Sequence, residues 1–278
     1  MSKFKDIYKF RGMNINSLVS LSSCKLWFSS IKDLNDPFEG YVHIAGPSTG
    51  EEKIVQYAKL GQSIIEKRNG LTPDKAREIV LSQYLSDPTG FIEFIDELLG
   101  RHPATISESL SQFGVYSVSS DIPGNAVTQE SNMLMWSHYA DGFKGFCIQY
   151  DLQELHSSLK SMNPGEKFEW CSVNYLDRPH QINLVEDIEK GTIAALRSIQ
   201  CKHEQWSYEC EIRILASKTG AFSFSPSAVK TIYVGGKMPR EQKDLIITLA
   251  RSSFPDCSLK EVTVANNLGD FAVRVTEI

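Results

Sequence analysis

Apolar residues recur with a helical period through the stretch 51–101. Ile54, Tyr57, Ala58, Gly61, Ile64 and Ile65 fall on one helical face, and Gly70 follows as a stop signal. Thr72-Pro73 then places a cap ahead of a first-turn proline, with Ala76, Ile79, Val80 and Tyr84 behind it. Asp87-Pro88 repeats the device before Phe91, Phe94, Ile95, Leu98 and Gly100. Three consecutive helices are therefore expected. On either side the period switches back and forth. Strands are predicted at 25–29, 113–119, 144–150, 168–175, 208–214, 230–234, 258–264 and 271–277, and helices at 15–23, 131–139, 151–160, 184–203 and 239–253. The helix over 184–203 carries Glu186, Asp187 and Glu189 early and Lys202 and His203 late, as its macrodipole favours. This order is not a regular βαβ alternation, so it predicts an α+β fold: a mixed, twisted sheet with flanking helices and an inserted helical block. No Pro/Gly/Ser linker divides the chain. Residues 1–278 read as one domain with 51–101 as a three-helix insertion, which would serve as a lid, a partner-binding face or plain packing.

Composition narrows the function classes. The chain has 29 Lys+Arg against 34 Asp+Glu, a net charge of −5, so it lacks the basic field of a general duplex-DNA binder. Nowhere do about 18 apolar residues run together, so no membrane span is expected. Residues 1–10 alternate Lys with single apolar residues and lack the apolar core of a secretory signal. The six cysteines are scattered, without a Cys-x-x-Cys pair or zinc spacing, and no metal site is expected. Buried reduced thiols and a cytoplasmic location follow as expectations.

Four segments could carry chemistry. Asp33-Leu-Asn-Asp-Pro-Phe-Glu39 offers three carboxylates for a cation or for acid–base work, although Asp36, Pro37 and Glu39 also spell a capping box. Met133-Leu-Met-Trp-Ser-His-Tyr139 sets an imidazole and a phenol beside an aromatic wall, suited to gripping a planar ring or moving a proton near neutral pH. Trp206-Ser-Tyr-Glu-Cys-Glu-Ile-Arg-Ile214 is the most informative stretch. Read as extended chain, it puts Glu209, Glu211 and Arg213 on one face and Tyr208, Cys210, Ile212 and Ile214 on the other. Two carboxylates about 7 Å apart with an arginine suit catalysis, and they equally suit a solvated ion pair worth at most about 1 kcal/mol. Last, Tyr233-Val-Gly-Gly-Lys237 leads from a strand to a helix, where free N–H groups and Lys237 could cradle a phosphate or simply make a tight turn.

Taken together, Tyr8-Lys-Phe-Arg11, Leu26-Trp-Phe-Ser-Ser30, Asp33-to-Glu39, the Leu134-to-Asp151 block and Trp206-to-Arg213 resemble the bacterial domain of unknown function 2971 family nearly end to end. That resemblance brings no settled activity with it. A more distant resemblance is to ADP-ribosyltransferases that use Arg, Ser-Thr-Ser and Glu-x-Glu in that chain order. Here these become Arg11, Ser117-Val-Ser119 and Glu209-Cys-Glu211, with valine where the family has threonine. The resemblance implies NAD as substrate, its pyrophosphate held by Arg11. Ser117 and Ser119 would orient the nicotinamide half, with Trp136 or Tyr139 flanking the ring and Arg213 among the binding groups. Glu211, with Glu209, would stabilise the ribosyl cation as nicotinamide leaves, and His138 is the third candidate catalytic residue, suited to moving a proton.

Three readings stay open. The first is an NAD-handling, ADP-ribosyltransferase-like enzyme acting as a toxin or antiviral effector on a macromolecular or nucleotide substrate. The second is a non-enzymatic sensor or interaction protein with a protein partner at residues 51–101. The third is a metal-dependent phosphodiesterase using Asp33, Asp36 and Glu39 with Glu209 or Glu211 and His138.

Overall fold

The computed structural model describes residues 4–41, 43–44, 50–121, 128–182, 197–265 and 272–278. In chain order these form β1 (Asp6–Arg11), α1 (Ile15–Ser23), β2 (Lys25–Ser30), β3 (His43–Ile44), α2 (Glu51–Asn69), α3 (Pro73–Ser86), α4 (Pro88–Leu110), β4 (Gly114–Ser120), α5 (Met133–Tyr139), β5 (Phe146–Asp151) and α6 (Leu152–Met162). They continue with β6 (Phe168–Ser172), β7 (Asn174–Leu176), β8 (Gln181–Ile182), β9 (Cys201–His203), β10 (Glu211–Ala216), β11 (Gly220–Ser223), β12 (Val229–Gly235), α7 (Arg240–Ser253), β13 (Ser258–Ala265) and β14 (Ala272–Glu277). The fold is α+β, with a mixed and largely antiparallel sheet. By compactness the chain divides into a first unit (Met1–Asp33, Gln112–Tyr175, Glu204–Ile278) and a second (Leu34–Ser111, Leu176–His203).

Local signals explain most helix boundaries. Asn14 caps α1 through Ser17 N–H, and Gly70 ends α2 in the left-handed region at φ 62°. Asp87 caps α4 by accepting from Gly90 N–H at 2.9 Å. Three expectations are corrected. The strand predicted at 208–214 begins only at Glu211, because Glu204–Glu209 coils into a 3-10 turn. The helix predicted over 184–203 lies outside the described residues from 184 to 196, and its end is the strand Cys201–His203. Two strands of the first unit, β1 and the short Gly-containing β11, were not anticipated.

The junction of the first unit's ten-stranded sheet is β4. One edge of β4 pairs along its length with β10, whose far edge carries β6. Its other edge is shared: Ser119 and Ser120 pair with Tyr8 and Ile7 of β1, while Val115 and Gly114 pair with Ser29 and Ser30 of β2. Between these two pairings the Lys9 ammonium donates to the Ser117 carbonyl at 2.6 Å. From β1 the sheet continues through β5, β12, β13 and β14, and from β2 to β11; β12–β13 is parallel and the other pairings described in this sheet are antiparallel.

Alternation along the strands feeds two cores. Ile7, Tyr116, Val118, Phe146, Ile148, Ile212, Ile214 and Ile232 point to one face and pack with Leu21 of α1, Leu155 and Leu159 of α6 and Ile246 of α7. Tyr8, Phe10, Cys147 and Tyr233 point to the other and pack with Met135 and Trp136 of α5. Each fully buried side chain of this size contributes about 1.5–3 kcal/mol before entropy is charged. Gly145 and Gly235 permit close chain approach, since a Cβ there would strike the carbonyls of Arg11 and Phe143. In the second unit, α2, α3 and α4 close over Tyr57, Leu60, Val80, Phe91 and Ile95.

Candidate functional site

Strand register gathers part of the expected set. In the β4–β10 pair Ser119 lies opposite Glu211 and Ser117 opposite Arg213, and Tyr8 of β1 flanks Ser119 on its other side. Directly opposed residues of antiparallel strands share a face. Ser117, Ser119, Glu211 and Arg213 therefore occupy the sheet face opposite Tyr116, Val118, Ile212 and Ile214. Arg213 is fully buried and Glu211 nearly so. The guanidinium grips the carboxylate at two points, Nε to Oε1 at 2.8 Å and Nη2 to Oε2 at 3.3 Å. Such a clamp offsets the large cost of removing both charges from water. The Tyr175 hydroxyl accepts from the Glu211 backbone N–H at 2.7 Å. Ser117 Oγ is buried and has no hydrogen-bond partner among the described residues.

A second group forms where α5 meets the Glu204–Glu209 turn. Asn132 caps α5 by accepting from Leu134 and Met135 N–H, and its amide donates to the Tyr208 carbonyl at 3.0 Å. This ties the helix to the turn. His138 is exposed, and its Nδ1 lies 2.9 Å from the Tyr208 hydroxyl. The Tyr139 hydroxyl donates to the buried Glu209 carboxylate. Ring centroids of His138 and Tyr208 are 5.7 Å apart and those of Trp206 and Tyr208 are 6.3 Å apart. After Glu209 the chain turns through Cys210 at φ 47°, a left-handed conformation that L residues rarely adopt. The Cys210 carbonyl accepts from both N–H and Oγ of Ser120, which holds that turn. Glu209 and Glu211 consequently do not share one strand face: the first is presented by the turn, the second by the sheet.

Two expected binding residues stand elsewhere. On β1 the side chains alternate, so Lys9 and Arg11 lie on the opposite face from Tyr8 and Phe10. The Arg11 guanidinium sits 6.0 Å from the Tyr116 ring, on the face opposite Ser119 and Glu211. Trp136 is fully buried. It stacks on Phe143, meets Phe10 edge-on and donates from Nε1 to the Glu130 carbonyl at 2.7 Å, so it is a packing residue with no ring face left for a ligand. Residues that sequence reasoning passed over are Asn132, Tyr175 and the Tyr8–Asp121 pair, joined at 3.0 Å. Burial, with Glu130 and Asp121 nearby, pushes the Tyr8 phenol well up, so it stays protonated. Only Tyr8 had a signal, as the head of Tyr8-Lys-Phe-Arg11.

The remaining motifs resolve into local structure. Asp36 is buried and accepts from Phe38 N–H at 2.9 Å, while Glu39 lies 3.7 Å from the Lys202 ammonium. The N–H groups of the glycine loop are already used: Gly236 donates to Val262, Lys237 to Phe143 and Met238 to Gly235 carbonyls. Among the described residues no cluster of His, Cys, Asp or Glu is arranged to hold a metal ion. Among the same residues no helix is long and apolar enough to cross a membrane.

Residues 135–214 match the family model described as "Protein of unknown function (DUF2971)". The match begins at Met135 within α5, takes in β5, β6 and the Glu204–Glu209 turn, and ends on Ile214 of β10, so it contains His138, Tyr139, Glu209, Glu211 and Arg213. No curated protein and no solved structure matched the chain. Over this segment the chain is similar to the DUF2971 family of proteins of unknown function.

Proposed function

We propose that the protein is an enzyme that breaks an N-glycosidic bond in a nicotinamide nucleotide, in the manner of ADP-ribosyltransferases, with NAD as substrate. The observation that carries this reading is the buried Glu209 carboxylate, held by Tyr139 of α5 at the end of the turn on which Tyr208 meets His138 and Trp206. A fixed carboxylate beside aromatic faces suits such a reaction. The rings receive the planar base, and the anion stabilises the ribosyl cation as it forms. The C1′–N bond breaks with its electron pair passing to the pyridine nitrogen, which leaves as neutral nicotinamide. A hydroxyl of water or of an acceptor then bonds to C1′, and its proton passes to His138.

Within this reading Glu209, not Glu211, is the carboxylate that meets the substrate, because the turn presents it against Tyr139 of α5 while Glu211 lies within the sheet in the grip of Arg213. Glu211, Arg213 and Ser119 act as positioning residues beneath the Cys210 turn. Arg11 takes no part in holding the pyrophosphate here, since it stands on the other sheet face.

One observation favours a second, non-enzymatic reading. The Glu211–Arg213 clamp is the arrangement expected of an internal ion pair that sets strand register. Nicotinamide release from NAD separates the two. Release by wild type, its loss in Glu209→Gln and its retention with weakened substrate binding in Glu211→Gln would support the enzyme. No release by folded wild-type protein, with and without cell lysate as acceptor, would remove it.

A further inference from the structure

The second unit contains a pocket of about 140 Å³ that the chemistry above does not use. Three segments meet at it: Phe38 and Tyr41 in and after the Asp-Pro-Phe-Glu turn, Leu176 with Arg178 to His180, and Ser198 with the strand ending at His203. Its walls are mostly apolar, and Phe38 and Tyr41 are 61% and 54% exposed, which is unusual for large aromatic side chains. Among the described residues that line it there is no carboxylate, whereas Arg178, His180, Lys202 and His203 are present. The Lys202 ammonium is buried 3.7 Å from Glu39, so its charge is already offset. Arg178 is 84% exposed and lies 3.9 Å from Asp177, itself 74% exposed, a pair of little strength that a ligand can displace.

Size and chemistry together define the occupant. Apolar cavities of about 150 Å³ accept a benzene-sized ring. A basic rim over apolar walls adds one anionic group to that ring. We infer that the second unit binds a single-ring aromatic carboxylate, its ring against Phe38 and Tyr41 and its charge toward Arg178 and the imidazoles of His180 and His203. This site stands on residues other than those of the proposed reaction, and its success or failure is independent of that reading.

The test is calorimetric titration of the whole protein with benzoate, benzamide and acetate. Saturable benzoate binding is expected, with benzamide at least about tenfold weaker, the factor one charge-assisted hydrogen bond contributes. Acetate, which has charge without a ring, should give no heat. Phe38→Ala and Arg178→Gln alter exposed side chains, so both should fold, as circular dichroism would verify, and each should weaken benzoate about tenfold. Absence of saturable benzoate binding overturns the proposal, as does equal binding of benzamide or wild-type affinity in both variants. Loss of binding in Glu209→Gln would assign benzoate to the first unit and overturn it equally.

Discussion

Arg213 is, after Trp136, the largest side chain fully enclosed among the described residues, and it is charged. Its worth lies in the partner it neutralises. Arg213→Met removes the guanidinium that grips the buried Glu211 carboxylate, which should cost about 3–5 kcal/mol and show as a fall in the urea midpoint. Replacing both members, as Glu211→Leu with Arg213→Met, should cost markedly less than the two single changes added together. An additive double variant would mean that the pair is uncoupled. That Glu211 and Arg213 share a face is legible from their spacing of two. That the face is buried is not, because alternation reads the same whether the polar side meets water or the interior. Glu209 illustrates the opposite case: its spacing from Glu211 suggested a shared face, and the left-handed Cys210 removes it.

Among the elements, α5 does the most for the candidate site, since it carries His138 and Tyr139 and is only seven residues long. So short a helix depends on its cap and its packing. Asn132 supplies two contacts, capping with its carbonyl oxygen and reaching the Tyr208 carbonyl with its amide. Asn132→Ala should lower stability by about 1 kcal/mol, read by thermal unfolding. Asn132→Asp keeps the cap, loses the amide donor and should recover only part of that loss. Full recovery would show that the bond to Tyr208 contributes nothing. Helices of this chain are readable from sequence because caps and period are local, as in the stretches 15–23 and 240–253. The Glu204–Glu209 turn is not readable, since Trp206, Tyr208 and Cys210 alternate with polar residues as a strand would. β1 escaped assignment for a related reason: Lys9 and Arg11 interrupt its apolar run, yet Tyr8 and Phe10 reach one core while Ile7 reaches the other.

Across the molecule the two units rest on cores of different extent. The first has apolar clusters on both faces of its sheet, whereas the three helices of the second close on Tyr57, Leu60, Val80, Phe91 and Ile95. One titratable group joins α2 to α4. The Asp96 carboxyl is held below its ordinary 3.8 by the hydrogen bond from Tyr57, with Lys53 3.1 Å away adding to the effect. A carboxyl lowered on folding contributes stability above its ordinary value and loses it as pH falls through the lowered one. Amide exchange in α2 and α4 should therefore accelerate between about pH 5 and about pH 3 more in wild type than in Asp96→Asn, after correction for intrinsic rates. Equal acceleration in the two proteins would sink this account.

Much of this protein is already written in its linear order. The α+β class, the three consecutive helices, most strands and the segments worth inspecting follow from periodicity and capping, which act over a few residues. Pairing across the chain is a different matter. Only the folded sheet sets Ser119 against Glu211, closes Arg213 onto that carboxylate, sends Arg11 to the far face and brings Tyr208 to His138. The Glu211–Arg213 contact apart, these depend on register and turn geometry between residues 70 or more positions apart, and no local period encodes such contacts.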